Sequence, residues 1–399
     1  MYKTYAKQKK AWGLVGAVVL ALAGPAFAAD EHRIKAKRIH DRLAGVPPSE
    51  AVLDAMETKI ANDPGNGVGL IEAAEIAMQN PAFYNVTLKN FATPWTNEEQ
   101  DVFAPLNDYT ATVIGMIRDR ETTDGVPFTE LLSGDILYVG DDTIPGVSDY
   151  SDSNNDHYED LEAQGVDLSD ANNLFKVTQS SRNGIPSAAT AGVMTSRAAS
   201  EAFFIAGTNR AMFRFTLLNH LCNDLEQVKD ITRTPDRIRQ DVSRSPGGDS
   251  RIFLNSCIGC HSGMDPLAQA YAYYDFDETS GRLVYTDGVV QQKYLINDGN
   301  FKPGYVTPDD RWDNYWRSGP SAILGWDQNL SGSGNGAKSM GQELAASDAF
   351  ARCQSIKVFR NVCLGEPKQS ELVALKGAFQ GQYNMKDVFA EAARQCLGD

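Results

Sequence analysis

Two cysteines and a histidine form a compact group of reactive side chains in this 399-residue chain, in the sequence Cys257-Ile-Gly-Cys260-His261. Two thiols three residues apart, followed at once by an imidazole, form the attachment pattern of c-type haem. Each thiol can add to one haem vinyl group, and the adjacent histidine then ligates the iron from the proximal side. We therefore predict one covalently attached haem c, bound through Cys257 and Cys260, with His261 as an iron ligand.

Two other uses of this motif have to be weighed. A Cys-x-x-Cys pair can serve as a dithiol redox centre, or it can supply half of a zinc site. A tetrahedral zinc site needs further ligands, and the sequence offers no second Cys-x-x-Cys and no His-x-x-x-His. The immediately following His261 favours haem over both alternatives.

The second axial ligand of the iron decides the class of haem protein. Met264 follows His261 by only three residues and is expected on the proximal side. Met340 follows the Gly-Ser-rich run 331–336 and opens a helix, from which its thioether could reach the distal side. We predict Met340 as the sixth ligand, with a packing role as its alternative. His220 is interpreted as a core histidine and not as an iron ligand.

Four cysteines remain besides the haem pair: Cys222, Cys353, Cys363 and Cys396. Cys353 and Cys363 fall in one predicted helix, Leu344 to Leu364, where ten residues span about 15 Å. This separation is beyond the reach of a disulfide. If the last two helices run down and back beside it, Cys396 returns level with Cys363. We predict bridges Cys363–Cys396 and Cys222–Cys353, with four buried free thiols as the alternative.

The first 28 residues have the pattern of a secretory signal: four lysines, an apolar run from Ala11 to Leu22, and Ala26-Phe27-Ala28. Cleavage would remove four lysines and no acid, which takes the formal net charge from −15 to −19. So acidic a chain is not expected to bind nucleic acid. This charge would steer the protein toward a redox partner with a basic docking face, and a solvated surface without any partner is the alternative. The pattern predicts export to the periplasm or outer envelope of a bacterium, without a membrane span after cleavage.

Composition divides the chain into four parts: a signal peptide at 1–28, a helical region at 29–140, an acidic loop or linker at 141–190, and a haem module at 191–399. Residues 141–173 are rich in Asp, Asn, Ser and Gly, which predicts a long surface loop with His157 exposed to solvent. Asp152, Asn154 and Asp156 have the spacing of a calcium loop, but the turn glycine and the final glutamate are missing.

The haem module is predicted to be mostly helical, with long loops and one small β-hairpin. The hairpin is expected to join Arg282–Thr286 to Val289–Lys293 through Asp287-Gly288, a dipeptide that suits a tight turn. Asp265-Pro266 is expected to begin a new helix after the motif. Trp312, Trp316 and Trp326 either cover an exposed haem edge or form a separate aromatic cluster. The predicted fold class is mainly α.

The pattern resembles the planctomycete-type cytochrome c proteins, in which a helical region precedes one Cys-x-x-Cys-His module. The similar segments are Arg42 to Pro48, Leu221-Cys222, Asp265-Pro266-Leu267, Tyr274-Asp275, Glu343-Leu344, Phe350 to Cys353, Leu364-Gly365 and Lys386 to Phe389. The chain departs from the group at Ala268, where glycine is usual, and in a longer segment at 290–338. This resemblance implies covalent haem and a location in the cell envelope.

These observations favour a periplasmic mono-haem cytochrome that transfers single electrons. A haem enzyme or a gas or peroxide sensor is the alternative, because an iron without a sixth side-chain ligand is open to small molecules. A scaffold protein that haem merely stabilises is a third hypothesis. The sequence indicates no catalytic residue, and an electron carrier is favoured over an enzyme.

Overall fold

The computed structural model describes residues 24–204, 207–237, 250–295 and 305–397. The predicted signal peptide lies outside the described residues except for the backbone of residues 24–28. The α-helices, α1 to α16, are Gly24–Ala44, Glu50–Ala61, Val68–Ala77, Lys89–Ala92, Asp108–Asp119, Asp156–Ala163, Ser180–Asn183, Arg197–Phe203, Arg210–Leu221, Ser250–Ile252, Ile258–Ala268, Gln292–Leu295, Gly336–Ala345, Asp348–Cys363, Gln369–Gln382 and Met385–Leu397.

Six short strands accompany the helices: β1 Leu137–Gly140, β2 Leu174–Val177, β3 Tyr274–Asp277, β4 Arg282–Tyr285, β5 Arg311–Asp313 and β6 Ser333–Asn335. They pair as three antiparallel two-stranded sheets, β1 with β2, β3 with β4 and β5 with β6. Two π-helical turns, Phe83–Leu88 and Phe253–Cys257, precede α4 and α11. Single 3-10 turns occupy 93–96, 128–132, 192–195, 269–271, 315–317 and 320–324. The fold is therefore mainly α, as the sequence predicted.

The first and last helices among the described residues pack together, since α16 contacts α1 and α3 as well as α14 and α15. In α2 the buried residues Leu53, Met56 and Ile60 recur at intervals of three and four, which places them on one face. The Ser49 hydroxyl caps this helix by accepting a hydrogen bond from the Val52 N–H at 3.4 Å. One hydrophobic core runs from these helices into the predicted haem module.

The predicted surface loop at 141–173 is wrong in part, because this segment contains α6 and leads into β2. Its side chains Tyr158, Leu161 and Leu168 are buried in the core. His157, expected in solvent, is 1% exposed. Its Nδ1 donates to the Ser148 carbonyl at 2.6 Å, and its Nε2 accepts from the Gly140 N–H at 2.9 Å. A histidine with both ring nitrogens bonded to backbone is stable in the core, so polarity alone misjudged this segment.

The predicted hairpin is wrong in its partner. Arg282–Tyr285 pairs with the preceding strand β3, with Tyr274 opposite Tyr285. Residues 287–288 do form a turn, closed by the Val289 N–H to the Thr286 carbonyl at 3.0 Å, but the chain beyond it becomes helix α12. Pairing with β3 buries Tyr274 and Phe276, and this gain of buried area decides the register.

Two predicted helix boundaries are also wrong. The run Leu344 to Leu364 is not one helix, because α13 ends at Ala345 and Ser347 caps α14, accepting from the Phe350 N–H at 3.2 Å. Pro266 does not begin a helix, because it lies inside α11, which the haem motif opens. A proline four residues after Ser262 removes one intrahelical hydrogen bond without ending the helix.

Both predicted disulfides are confirmed. Cys222 is bonded to Cys353 with a Cα–Cα distance of 5.2 Å, and Cys363 is bonded to Cys396 with a Cα–Cα distance of 5.8 Å. The first bridge joins α9 to α14, and the second joins α14 to α16. In the part of the chain that the structure describes, no helix is long and apolar enough to span a membrane.

We predict that the two bridges contribute unequally to stability. The Cys222–Cys353 bridge closes 131 residues and Cys363–Cys396 closes 33. Loop-closure entropy makes the longer bridge about 1 kcal/mol more stabilising, within a usual range of about 2–5 kcal/mol for either. Denaturant unfolding of the two double Cys→Ala variants measures this difference. An unreduced digest that yields no disulfide-linked peptides would contradict both bridges.

His220 should make the fold sensitive to acid. Burial, and to a smaller extent the charge of Lys357, lowers the pKa of His220 well below its usual value. Below about pH 6.5 the unfolded chain binds a proton there that the folded chain does not. The free energy of unfolding should then fall by up to about 1.4 kcal/mol per pH unit. Chemical unfolding at pH 7 and pH 5 should show a smaller drop for His220→Gln, and equal drops in both proteins would refute this assignment.

Candidate haem attachment site

The structure places Cys257, Cys260 and His261 on consecutive turns of one helical segment. Cys257 ends the π-helical turn Phe253–Cys257, and the other two residues lie in the first turn of α11. Residues three and four apart face the same side of a helix, so both thiols and the imidazole share one face. Both thiols are unpaired and partly exposed, whereas the other four cysteines form disulfides. The motif therefore presents two accessible nucleophiles beside one ligand.

The Cys260 thiol lacks the electrostatics of the attacking thiol of a dithiol redox centre. Burial, and after it the nearby Glu226, raises the pKa of the Cys260 thiol. Redox-active Cys-x-x-Cys pairs have a thiol whose pKa is lowered by helix ends or by positive charge. The Cys260 thiol also lies 3.6 Å from the Leu225 carbonyl, which favours the protonated form. Cys260 is thus held protonated and is not suited to be the attacking thiol of a dithiol pair.

His261 is fixed by a buried carboxylate one turn along the same helix. Its Nδ1 lies 3.0 and 3.2 Å from the two carboxylate oxygens of Asp265. An ionised carboxylate only accepts hydrogen bonds, so Nδ1 carries the proton. Nε2 has no hydrogen-bond partner among the described residues. The imidazole is therefore held in the tautomer in which Nε2 can ligate a metal.

Asp265 is itself held by Arg210, the first residue of α9. The Arg210 guanidinium contacts both carboxylate oxygens, with Nε at 2.9 Å and Nη2 at 3.2 Å. The Asp265 side chain is only 5% exposed. Burial alone would raise the pKa of Asp265, but Arg210 and His261 together lower it to about 2. The carboxylate is thus charged and oriented at neutral pH.

The start of α9 is anchored by Asn209, which is fully buried in a left-handed conformation at φ 54°. Its side-chain amide donates to the carbonyls of Tyr271 and Tyr274, both at 2.9 Å. These carbonyls belong to the segment that leaves α11 toward β3. The Asn209 contacts therefore tie the start of α9, which carries Arg210, to the segment that follows α11, the helix that carries Asp265.

The other side of the motif is covered by residues 225–232. The Asp230 N–H donates to the Gly259 carbonyl at 2.9 Å, and the Ser262 hydroxyl donates to the Asp230 carbonyl at 3.3 Å. A Cβ at residue 259 would lie 3.0 Å from the Ile231 side chain. A larger residue at position 259 would therefore force the exposed Ile231 side chain to shift. An open polar cleft of about 660 Å³ adjoins this segment, between Asp230 and Tyr315.

Apolar side chains are exposed next to the thiols. Leu254 is 55% exposed and Ile252 40% exposed, both just before Cys257. The Phe253 ring is buried, with its centroid 5.9 Å from that of the His261 ring. Exposed apolar side chains at this place leave room for an apolar partner to cover them. Two reachable thiols, an oriented imidazole and an uncovered apolar flank fit a covalently bound porphyrin.

Met340 lies in a different setting from the one that the sequence suggested. It is fully buried in the hydrophobic core, in the second turn of α13. The run 331–336 before it is not a free loop, because Ser333–Asn335 forms β6 and pairs with β5. Helix α13 packs on the 3-10 turns at 128–132 and 269–271. The argument from a flexible loop thus fails, and ligation by Met340 stays a prediction.

The three tryptophans are all buried. The Trp316 indole packs on α11, where its Nε1 lies 2.0 Å from the point that a Cβ at Gly263 would occupy. The Trp326 Nε1 donates to the Trp316 carbonyl at 2.9 Å, and the Trp312 Nε1 donates to the Ser339 hydroxyl at 2.8 Å. Trp316 therefore supports the motif helix from behind, and any alanine at position 263 would displace it.

His220 is confirmed as a core histidine. It is 1% exposed, and its Nε2 lies 2.7 Å from the Tyr109 hydroxyl. The roles of Asp265 and Arg210 were missed at the level of sequence. An acid four residues after a predicted helical ligand is a usable signal, because that spacing places the two side chains on one face. Arg210 had no such signal, since it lies 55 residues from Asp265.

Among the described residues, no group of three or more His, Cys, Asp or Glu side chains is arranged to hold a metal ion. Comparison with known proteins adds no relative: no protein family, curated protein or solved structure matches this chain.

We expect Cys257→Ala with Cys260→Ala to abolish covalent haem attachment when the chain is expressed with a haem-ligation system. The haem stain of a denaturing gel measures the result. The matched control is Cys363→Ala with Cys396→Ala, which also removes two sulfurs but should retain the stain. Wild-type protein that loses its haem to acid-acetone would contradict the assignment.

Proposed function

We propose that this protein is a mono-haem c-type cytochrome that transfers single electrons. The observation that supports this proposal most is the shared helical face of Cys257, Cys260 and His261, with His261 oriented by Asp265. A covalently bound haem supplies a one-electron couple between ferrous and ferric iron. The chain would supply attachment through the two thiols and ligation through His261.

The surrounding residues have definable tasks in this proposal. Trp316 and residues 225–232 hold the motif helix from two sides, so the ligand geometry would change little between oxidation states. Small reorganisation of the site is what fast electron transfer requires of the protein. Asp265 keeps the Nδ1 proton of His261 in place. Leu254 and Ile252 would be covered by the porphyrin and exclude water from it.

We further propose that the protein is exported and works in the periplasm or outer envelope of a bacterium. The two disulfides support this location, since disulfides persist mainly in oxidising compartments. The signal-like first 28 residues and the resemblance to planctomycete-type cytochrome c proteins point the same way. The net charge of the chain favours a redox partner with a basic docking face.

A second function, a haem enzyme or sensor with an open sixth position, is favoured by one observation. Met340 is enclosed in the core, and the segment before it is a paired strand. If Met340 serves only packing, the iron has no thioether ligand from this helix and is open to peroxide, nitric oxide or oxygen. The presence or absence of a sixth side-chain ligand on the iron therefore distinguishes the two functions.

Replacing Met340 tests which function holds. We expect Met340→Ala to lower the reduction potential and to let the ferrous iron bind carbon monoxide, because a methionine ligand raises the potential and blocks the site. Met194→Ala is the matched control, since Met194 is also buried at 2% exposure and should change neither property. Absorption spectra and a redox titration measure both. Wild-type protein that already binds carbon monoxide, with an unchanged Met340→Ala spectrum, would favour the open-site function.

A further inference from the structure

We propose that Asp265 is a positioning residue that strengthens electron donation from His261 to the haem iron, and that Arg210 limits this effect. The inference rests on the proposed function, because it concerns the iron that His261 would ligate. The reduction potential would then depend in part on three linked side chains, His261, Asp265 and Arg210, of which Asp265 is buried.

The geometry makes Asp265 a strong acceptor. Both of its oxygens lie within 3.2 Å of Nδ1, and the side chain is 5% exposed. Hydrogen bonds to charged acceptors are stronger than neutral ones, and removal from water strengthens them further. A backbone carbonyl in this position would carry no net charge. Asp265 should therefore draw the Nδ1 proton away from the ring more than a carbonyl could.

The chemical consequence appears at the other nitrogen of the ring. A histidine whose N–H is bonded to a carboxylate is a more basic metal ligand. A more basic ligand stabilises ferric iron relative to ferrous iron, and axial ligands with their hydrogen bonds are the means by which proteins set the haem potential. Asp265 should thus lower the reduction potential.

Arg210 acts on the same carboxylate from the opposite side. Its guanidinium occupies both oxygens, at 2.9 and 3.2 Å, so part of their negative charge is directed away from His261. Asn209 fixes the backbone next to Arg210 through the carbonyls of Tyr271 and Tyr274. Removing the guanidinium should leave more of the carboxylate charge to His261. Asp265 and Arg210 are therefore expected to shift the potential in opposite directions.

The test compares Asp265→Asn, Asp265→Glu and Arg210→Gln with wild type by redox titration. We expect Asp265→Asn to raise the potential, Arg210→Gln to lower it, and Asp265→Glu, which retains a carboxylate, to stay nearer to wild type. Asp230→Asn is the control for charge alone. Asp230 is equally buried and contacts the motif through Gly259, but it accepts from Thr232 and not from His261.

A second measurement reports on the iron–histidine bond itself. Measured in the Met340→Ala background, whose ferrous iron is expected to bind carbon monoxide, resonance Raman spectra after photolysis should show a lower iron–histidine stretching frequency in Asp265→Asn and no change in Asp230→Asn. A potential shift in Asp265→Asn no larger than in Asp230→Asn, with an unchanged frequency, would overturn the inference.

The haem stain of a denaturing gel separates this failure from failure of the proposed function. Wild-type protein without covalent haem would refute both the function and the inference. Protein that retains its haem, with the potential insensitive to Asp265, would refute the inference alone. Retention of haem in Asp265→Asn also shows that this variant folds well enough for its potential to be compared with wild type.

Discussion

The site depends on the fixed position of α9, which is held at both ends. At its first residue, Arg210 forms the partly buried ion pair with Asp265 of the motif helix. Just past its last residue, Cys222 is bonded to Cys353 of α14. Between these points, the His220 Nε2 forms a hydrogen bond with the Tyr109 hydroxyl of α5 at 2.7 Å. Because three contacts of different chemistry restrain one helix of 12 residues, the carboxylate that orients His261 cannot shift without straining the core.

The parts of the structure that sequence could predict are those with short-range physical rules. The thiol and imidazole spacing identified Cys257, Cys260 and His261 as one candidate site, and helix geometry then explains why they share one face. Helical rise excluded a Cys353–Cys363 bridge, and the antiparallel return of the last helix identified the partner of Cys363. These rules held although α14 begins later than expected, since they depend on separation along a helix and not on where the helix starts.

The errors arose where distant residues decide the outcome. His157 was assigned to solvent from the polarity of its neighbours, but the carbonyl of Ser148 and the N–H of Gly140 satisfy both ring nitrogens. The strand Arg282–Tyr285 pairs with β3 and not with the predicted Val289–Lys293, because pairing with β3 buries apolar side chains. Arg210 was unforeseen for the same reason, since 55 residues separate it from Asp265. Local patterns thus located His261, whereas tertiary contacts supply the group that orients its imidazole.

The Cys222–Cys353 bridge has a consequence for biogenesis. Its covalent loop contains both Cys257 and Cys260. If the chain is exported as proposed, it would carry six free thiols that can mispair during oxidation. Thioether formation would withdraw two of them, and the number of complete pairings would fall from fifteen to three. If the porphyrin is attached before the disulfides form, fewer incorrect disulfide pairings are then possible. In the reverse order, the porphyrin would have to enter a chain that is already closed into a ring.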